Sequence, residues 1–266
     1  MADAVPGGRP GSGPGFLRQG FFLLQMNDAL FPIGGFAHSY GLETYIQRGL
    51  VRDASTAAAY LRANLRESFS CGDLLCAALA WDYGTARDLG GLVKLEALVR
   101  ASKAPAELRE AALKLGSRFA RTMGALISGR AGGDPGCGEA VPSEEAVPSG
   151  EAALFAAYLE ALTTQGEAPS HAAAYGVCCA ALGIGRDEAL EAYLYAQASA
   201  MVTCCVKTIP LSQTAGQMLL TGLFDLMETL LRRLPELQEE DLYPTAPGFD
   251  LRAMEHETLY SRLYMS

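Results

Sequence analysis

Residues 105–128, PAELREAALKLGSRFARTMGALIS, contain a long amphipathic pattern. Apolar side chains recur in it every three or four residues, at Leu108, Ala112, Leu115, Phe119, Met123 and Leu126. This spacing places them on one face of an α-helix, and Pro105 suits the first turn of that helix. Because an apolar helical face is stable only when other apolar faces cover it, the stretch predicts a helix inside a larger helical core.

Further stripes with helical spacing lie on either side of this stretch. They consist of Ala58, Leu61, Leu65 and Phe69 after the capping residue Asp53; of Leu190, Leu194, Gln197, Met201 and Cys205 before Pro210; and of Ala215, Leu219, Leu226 and Leu230. Alternating patterns typical of β-strands are scarce. We therefore predict an all-α, single-domain bundle of roughly eight to ten helices.

Two segments interrupt the helical pattern. Residues 1–15 contain five Gly and three Pro, and residues 129–150 contain six Gly and three Pro together with the repeat EAVPS. Such a composition is typical of flexible chain. We predict a disordered tail at 1–15 and a helical domain at 16–250 that carries a flexible insertion at 129–150.

Charge and hydropathy narrow the class of partner. The 266 residues include 21 basic and 30 acidic side chains, for a net charge of −9, and the scattered basic residues argue against unassisted nucleic-acid binding. The longest uncharged stretch, residues 208–224, is about 17 residues long and contains several polar side chains, so it predicts no membrane span. Residues 1–15 lack the basic start of a signal peptide. We expect a cytoplasmic protein with neither a nucleic-acid nor a membrane partner.

Candidate metal ligands and catalytic groups are few. The chain has seven cysteines, two pairs of which are adjacent (178–179 and 204–205), and three histidines, none of them one helical turn from another. This spacing predicts no local metal site, and buried thiols are the favoured interpretation of the cysteines. No glycine-rich phosphate loop follows a strand, so no nucleotide is expected on this chain. We predict no enzymatic activity, although a Cys/His pair could still meet in space.

Two internal segments carry polar and glycine residues that core packing does not require. In residues 27–43, NDALFPIGGFAHSYGLE, the prolyl and glycyl residues predict a loop with special backbone angles; His38 and Ser39 either cap the next helix or contact a partner. In residues 206–217, VKTIPLSQTAGQ, Lys207 suits a helix end and Ser212 a helix start. Close helix approach or a polar contact surface would explain Gly216 and its neighbouring glutamines.

The C-terminus, residues 254–266, MEHETLYSRLYMS, is unusually apolar for a chain end. Leu259 and Leu263 lie one helical turn apart, as do Tyr260 and Tyr264. So much apolar area would be covered, either by the bundle or by a partner. We predict a C-terminal partner-binding segment at 251–266.

These segments together resemble the UreF family of urease accessory proteins. The matching positions are Leu30, Pro32, Gly34, His38, Ser39, Gly41, Leu42 and Glu43; then His171, Tyr175, Gly176, Tyr195, Lys207, Pro210, Leu211, Gln213, Gly216 and Gln217; then His256, Glu257, Tyr260, Ser261, Arg262 and Leu263. The match runs from about residue 21 to the chain end, broken by 129–150. Phe36 stands where members often carry tyrosine.

The resemblance implies an all-helical protein that forms a homodimer and has no enzymatic activity of its own. It implies a complex with UreD, also called UreH, and with the GTPase UreG. This complex would load nickel into apo-urease, and UreE would supply the metal. No cofactor would then be stably bound to this chain: nickel would be handled by the complex and GTP would be bound by UreG. The C-terminal segment would order when UreD binds.

Site residues follow from the resemblance position by position. The expected UreG contacts are Arg262, Lys207, Gln213, Gln217, Phe36 and His38. The expected UreD contacts are His256, Leu259, Tyr260, Leu263 and Tyr264. Two alternatives stay open: Arg262 inserted into the GTPase as an arginine finger, and a direct nickel-carrying metallochaperone in which histidines and cysteines converge.

Overall fold

All regular structure in the described part of the chain is helical. The structure is a computed structural model that describes residues 14–35, 38–128, 149–244 and 246–265. The predicted all-α bundle is confirmed. Phe36, Cys137, most of the tail at 1–15 and nearly all of the insertion at 129–150 lie outside the described residues.

The structure contains a series of helical segments along the chain. In order they are α1 (Pro14–Met26), α2 (Leu42–Gln47), α3 (Ala54–Asn64), a π-helical stretch (Leu65–Leu74), α4 (Leu75–Thr85), α5 (Leu89–Ser102), α6 (Ala106–Ser128), α7 (Ser149–Thr163), α8 (His171–Ala181), α9 (Arg186–Thr208), α10 (Gln213–Thr221), α11 (Phe224–Arg233) and α12 (Pro247–His256). Two 3₁₀ turns, Leu234–Glu236 and Glu239–Asp241, connect α11 to α12. No helix among these segments is long and apolar enough to cross a membrane.

Local sequence explains where several helices begin. Asp53 and Thr56 form a reciprocal cap on α3, in which Asp53 Oδ1 accepts the Thr56 N–H at 2.8 Å and Thr56 Oγ1 accepts the Asp53 N–H at 3.1 Å. Ser212 Oγ accepts the N–H of Ala215 at 3.1 Å and so caps α10. The predicted starts at Asp53 and Ser212 are therefore confirmed.

The bundle is built around α8, whose side chains are almost all buried. At Gly176 it crosses α4 so closely that a Cβ would lie 2.2 Å from the carbonyl oxygen of Ala77. At Gly116, α6 approaches the entry to α8, where a Cβ would lie 2.2 Å from the carbonyl oxygen of Pro169. Glycine therefore permits two close backbone contacts that fix the central helix.

Two details of the predicted stripes are wrong. Leu126 is exposed and Ile127 is buried in its place, because the buried row Phe119–Met123 continues in steps of four residues. The last stripe is divided between α10 and α11, which are separated at residues 222–223. The two halves turn their apolar sides to the core from different helices.

The C-terminal region is not a separate unit, since α12 runs through residue 251 and packs on α2 and α6. The chain before α12 is fastened to the π-helical stretch by Tyr243, whose N–H donates to the carbonyl of Cys71 at 2.8 Å. Its phenol donates to Asp73 at 2.6 Å. These two hydrogen bonds hold the residues just before α12 against the bundle. Through α12 they also help to position the final residues of the chain.

Candidate partner-binding site

The part of the C-terminal segment that follows α12, residues 257–265, folds back onto α2. The backbone N–H groups of Leu263 and Tyr264 donate to the carboxylate of Glu43 at 2.8 and 3.2 Å. The Tyr264 side chain is buried. Of the two alternatives that the sequence left open, the structure shows the backbone of this segment packed on the bundle.

Glu43 reaches the segment because α2 begins directly against α12. Gly41, which precedes α2, has a φ of 84°, in the left-handed region that favours glycine. A Cβ at this position would also lie 3.2 Å from the Cα of Ala253 in α12. The loop at 27–43 thus has the special backbone angles that the sequence predicts, and they place the first turn of α2 beside α12.

His256 connects two carboxylates from different helices. Its ring is fully buried, with Nδ1 2.6 Å from Glu107 Oε2 and Nε2 3.2 Å from Glu43 Oε2. Each ring nitrogen therefore lies within hydrogen-bond distance of a carboxylate oxygen. Because no part of His256 is exposed, any effect of this predicted UreD contact on a partner would pass through the position of its neighbours.

Arg262 lies at the edge of this cluster and is hydrogen-bonded through its guanidinium to Glu107 Oε1. Its side chain is 40% exposed. It lines a surface depression of about 450 Å³ that His38 and Lys114 also line. Burial, with the positive charges of Arg118 and Lys114, lowers the pKa of His38, so its ring is neutral at pH 7. The structure therefore brings together two of the predicted UreG contacts, Arg262 and His38.

Apolar side chains of the C-terminal segment remain in solvent. Tyr260 is fully exposed, Leu263 is 77% exposed and Met265 is 55% exposed, whereas Leu259 is half-buried. We call the exposed side chains of Tyr260, Arg262, Leu263 and Met265 the C-terminal face. The face combines apolar anchors with an arginine, as interface hot spots do.

Three further predicted UreG contacts lie elsewhere on the surface. Lys207 is exposed in the last turn of α9, and Gln213 and Gln217 are exposed on α10. None of the three lines the depression beside Arg262. At Gly216 a Cβ would lie 2.5 Å from Val206 Cγ2, so close helix approach explains that glycine.

Two residues of the cluster had no predicted role. Glu43 belongs to the family pattern, but nothing in its neighbourhood along the chain indicates that it binds residues 263–264. Glu107 stands in the first turn of α6, where an acidic residue is ordinarily explained by the helix dipole. Only the fold shows that both carboxylates hold the C-terminal segment.

Comparison with known proteins identifies the family of this chain. The family model described as UreF matches residues 51–224.

The chain belongs to the UreF family.

Two relatives extend the match over nearly the whole chain. The urease accessory protein UreF of Paenarthrobacter aurescens (strain TC1) is 32% identical over 244 residues, which cover 92% of this chain and 96% of the relative. The urease accessory protein UreF of Arthrobacter sp. (strain FB24) shows the same identity and coverage. The predicted resemblance is confirmed, and with it the assignment of the chain to an accessory family of urease.

Five of the six described cysteines of this UreF-family chain are core residues, and the sixth, Cys71, is partly buried. Cys76 and the pairs 178–179 and 204–205 are buried, and burial raises the pKa of each of these thiols. The neutral thiol is a poor metal ligand compared with the thiolate. Across the described ranges, no group of three or more histidine, cysteine, aspartate or glutamate side chains is arranged to hold a metal ion.

His171 is the third histidine, and it begins α8 inside the core. Its ring packs edge-on against Phe119, with centroids 5.5 Å apart, and lines a pocket of about 130 Å³. Burial lowers the pKa of His171 to about 4, and the nearby charge of Asp73 opposes this only in part. The UreF-family fold thus buries this histidine in its neutral form.

We expect the free energy of unfolding to fall by about 2 kcal/mol between pH 7 and pH 4.5 because of His171. Below the ordinary histidine pKa the unfolded chain binds a proton that the folded chain excludes, so acid favours unfolding. Urea unfolding of the wild type and of His171→Gln at both pH values measures the difference. An equal acid-induced loss in both proteins would contradict the assignment.

Proposed function

We propose that this UreF-family chain is a component of the nickel-insertion machinery of urease and acts as an adaptor between UreD (UreH) and the GTPase UreG. The observation that carries the proposal is the C-terminal face, in which exposed apolar side chains lie close in sequence to an arginine held by Glu107. Surfaces of this composition are typical of protein–protein contacts.

The apolar part of the face is assigned to UreD. Tyr260 and Leu263 expose large apolar areas. Burying them against a partner would contribute roughly 25 cal/mol of binding free energy per Å². Leu259 is half-buried and Tyr264 is buried, so in this proposal they support the face from the bundle side. His256 is buried, so in this proposal it contributes to UreD binding indirectly, through its contacts with Glu43 and Glu107.

The charged part of the face is assigned to UreG. Arg262 provides the first contact, with the buried, neutral ring of His38 lining the same depression, while Lys207, Gln213 and Gln217 provide a second patch on α9 and α10. In this proposal UreG binds GTP, UreE delivers nickel to the complex, and the complex acts on apo-urease. The adaptor itself works in the cytoplasm as a homodimer, catalyses no reaction and keeps no cofactor.

We expect Arg262→Ala to weaken UreG recruitment about 30-fold, since truncating a central interface arginine costs about 2 kcal/mol. The bundle and the UreD complex should persist, because Arg262 is a surface residue and Glu107 keeps its bond to His256. Titration of UreG onto the purified complex with UreD measures the effect.

The matched control for this variant is Arg232→Ala. Arg232 is an exposed arginine on α11, paired with Glu228 at 2.8 Å, so its removal makes the same change in net charge away from the C-terminal face. We expect it to bind UreG normally. Full UreG affinity in Arg262→Ala would overturn the assignment of the charged part of the face.

Single-turnover hydrolysis of GTP separates an adaptor from an arginine finger. An adaptor variant hydrolyses GTP at the wild-type rate once UreG is saturated, because only binding is impaired. A missing arginine finger lowers the rate even at saturation, by about 10³-fold or more. Size-exclusion chromatography of the three proteins, with and without GTP and nickel, tests the complex itself.

A further inference from the structure

We propose that the pocket beside His171 binds a small uncharged molecule that both donates and accepts hydrogen bonds, of the class of the short primary amides. The pocket has a volume of about 130 Å³ and is lined from α3, the π-helical stretch, α5, α6, α8 and α9. Its described lining residues all lie before position 251, so the inference involves neither the C-terminal face nor its partners and goes beyond the proposed function.

Three buried side chains of the pocket wall carry polar atoms that no described residue satisfies. Tyr193, Asn64 and His171 are each at most 8% exposed, and none of them makes a side-chain hydrogen bond to another described residue. Across the described residues, the side-chain oxygens and nitrogens that are both sealed and unpartnered are those of Thr44 and Ser170. The polar atoms of the three side chains therefore open onto the pocket. Since buried polar groups are nearly always paired, their partner is a molecule in that space.

Local structure does not account for these polar groups. Asn64 stands where α3 meets the π-helical stretch, a position suited to a cap, yet its side chain makes no capping hydrogen bond. Gln197 interrupts the apolar stripe of α9 and lines the same pocket. Packing against Tyr175, with ring centroids 4.7 Å apart, explains the ring of Tyr193 but not its hydroxyl group. Several polar groups that converge on one partly apolar space are typical of a small-molecule site.

A carboxylate in the pocket wall has one oxygen free to accept a hydrogen bond. Lys103 Nζ and the Tyr243 hydroxyl both donate to Oδ1 of Asp73, at 2.9 and 2.6 Å. No described residue donates to Oδ2. Burial raises the pKa of Asp73, but the charge of Lys103 and these two hydrogen bonds outweigh it and lower the pKa overall. Asp73 is therefore ionised and offers Oδ2 to a hydrogen-bond donor.

The charges of the pocket wall favour an uncharged occupant. Asp73 and Lys103 form an ion pair, and the ring of His171 is neutral because burial lowers its pKa to about 4. A second cation would lose its hydration and meet the ammonium of Lys103. An anion would meet the carboxylate of Asp73 and that of Asp250, which is partly exposed and also lines the pocket. An uncharged donor avoids both costs.

The size and the apolar part of the wall narrow the class further. An apolar cavity of about 150 Å³ accommodates benzene, so about 130 Å³ suits a molecule of about four to six non-hydrogen atoms. Phe69, Leu115 and Met201 supply apolar wall on which a methyl group can pack. A short primary amide donates through its nitrogen, as the free oxygen of Asp73 requires. It also accepts through its carbonyl oxygen, as the amide of Asn64 and the hydroxyl of Tyr193 require.

Three isosteric probes test this inference on the isolated full chain. Acetamide, acetate and acetamidinium have the same number of non-hydrogen atoms and differ in charge. Each is titrated into isotope-labelled protein while the backbone amide signals of Asn64, His171 and Tyr193 are followed by NMR. We expect saturable shifts with acetamide, and an affinity at least about tenfold above that of either charged isostere. Tighter binding of a charged probe, or no saturable shift with acetamide, would overturn the proposal.

Tyr193→Phe tests the contribution of one unpartnered group. We expect acetamide to bind about tenfold more weakly, because one hydrogen bond to the probe is lost. The urea midpoint of unfolding should stay at the wild-type value, since the hydroxyl has no partner among the described residues. Wild-type affinity for acetamide in this variant would show that the hydroxyl does not belong to a binding site, against the proposal.

The matched control is Tyr175→Phe, which makes the same change in the neighbouring ring. The Tyr175 hydroxyl donates to the carbonyl of Ala189 and accepts from Asn27 Nδ2, and Tyr175 does not line this pocket. We expect the opposite pattern from that of Tyr193→Phe, namely a lower urea midpoint with wild-type acetamide affinity. If both variants weakened acetamide binding equally, the loss would reflect a looser core and the proposal would be wrong.

Discussion

Gly176→Ala is expected to lower the free energy of unfolding by about 3 kcal/mol, because α8 crosses α4 at this residue with no space for a methyl group. A Cβ would lie 2.2 Å from the carbonyl oxygen of Ala77 and 3.0 Å from the backbone nitrogen of Trp81. Both are backbone atoms, so the clash is relieved only by separating two helices of the core. Urea unfolding followed by circular dichroism measures the loss.

Gly124→Ala is the matched control for this prediction. Gly124 also lies inside a helix, α6, but a Cβ there would meet no atom within 4 Å. Since alanine favours helix by about 1 kcal/mol over glycine, we expect equal or greater stability. A Gly176→Ala protein as stable as the wild type would show that the crossing of α4 and α8 adjusts without loss.

Glu96→Ala is expected to lower the free energy of unfolding by a similar amount, about 3 kcal/mol, because it removes the acceptor of two buried donors. Glu96 in α5 is fully buried and accepts hydrogen bonds from the Tyr158 hydroxyl and from the Ser170 N–H, the latter at 2.9 Å. Burial raises the pKa of Glu96, although both hydrogen bonds act in the opposite direction. Its carboxyl group joins α5, α7 and the start of α8.

Two further variants serve as comparisons for Glu96→Ala. Glu96→Gln keeps one acceptor oxygen at nearly the same volume, and we expect it to lose about 1 kcal/mol. Glu228→Ala removes an exposed carboxylate paired with Arg232 on the surface, so we expect a change within about 0.5 kcal/mol. If Glu96→Ala unfolded at the wild-type urea concentration, the polar contact between α5 and α8 would be dispensable.

Residues that stabilise the core of the molecule are different from those that form its proposed binding face. Tyr175 and Gly176 belong to the pattern that resembles the UreF family, yet their contacts are internal: the Tyr175 hydroxyl donates to the carbonyl of Ala189 and accepts from Asn27 Nδ2, each at 2.9 Å. Arg262 and Tyr260 in the terminal pattern are exposed. The same family pattern therefore mixes residues that hold the core with residues available to partners.

Local features were predictable because the forces that cause them act over a few residues. Helical periodicity in α6 and the caps at Asp53 and Ser212 depend on neighbours within about one turn. The apolar spacing did not predict that the last stripe is divided between α10 and α11. The break between these helices is so short that the helical spacing of apolar residues is nearly unchanged across it. Which of two adjacent residues is buried, Leu126 or Ile127, depends on the direction of the facing helices.

The amino-acid sequence by itself determined the all-α class, the helix starts at Asp53 and Ser212, and the three segments that resemble the UreF family. Only the tertiary structure decided which side of the C-terminal segment is covered and which residues hold it. The physical reason is distance along the chain: Glu43 meets Leu263 across 220 positions, and His256 meets Glu107 across 149. No periodic pattern records a hydrogen bond between residues so far apart, because that bond exists only after the helices have packed.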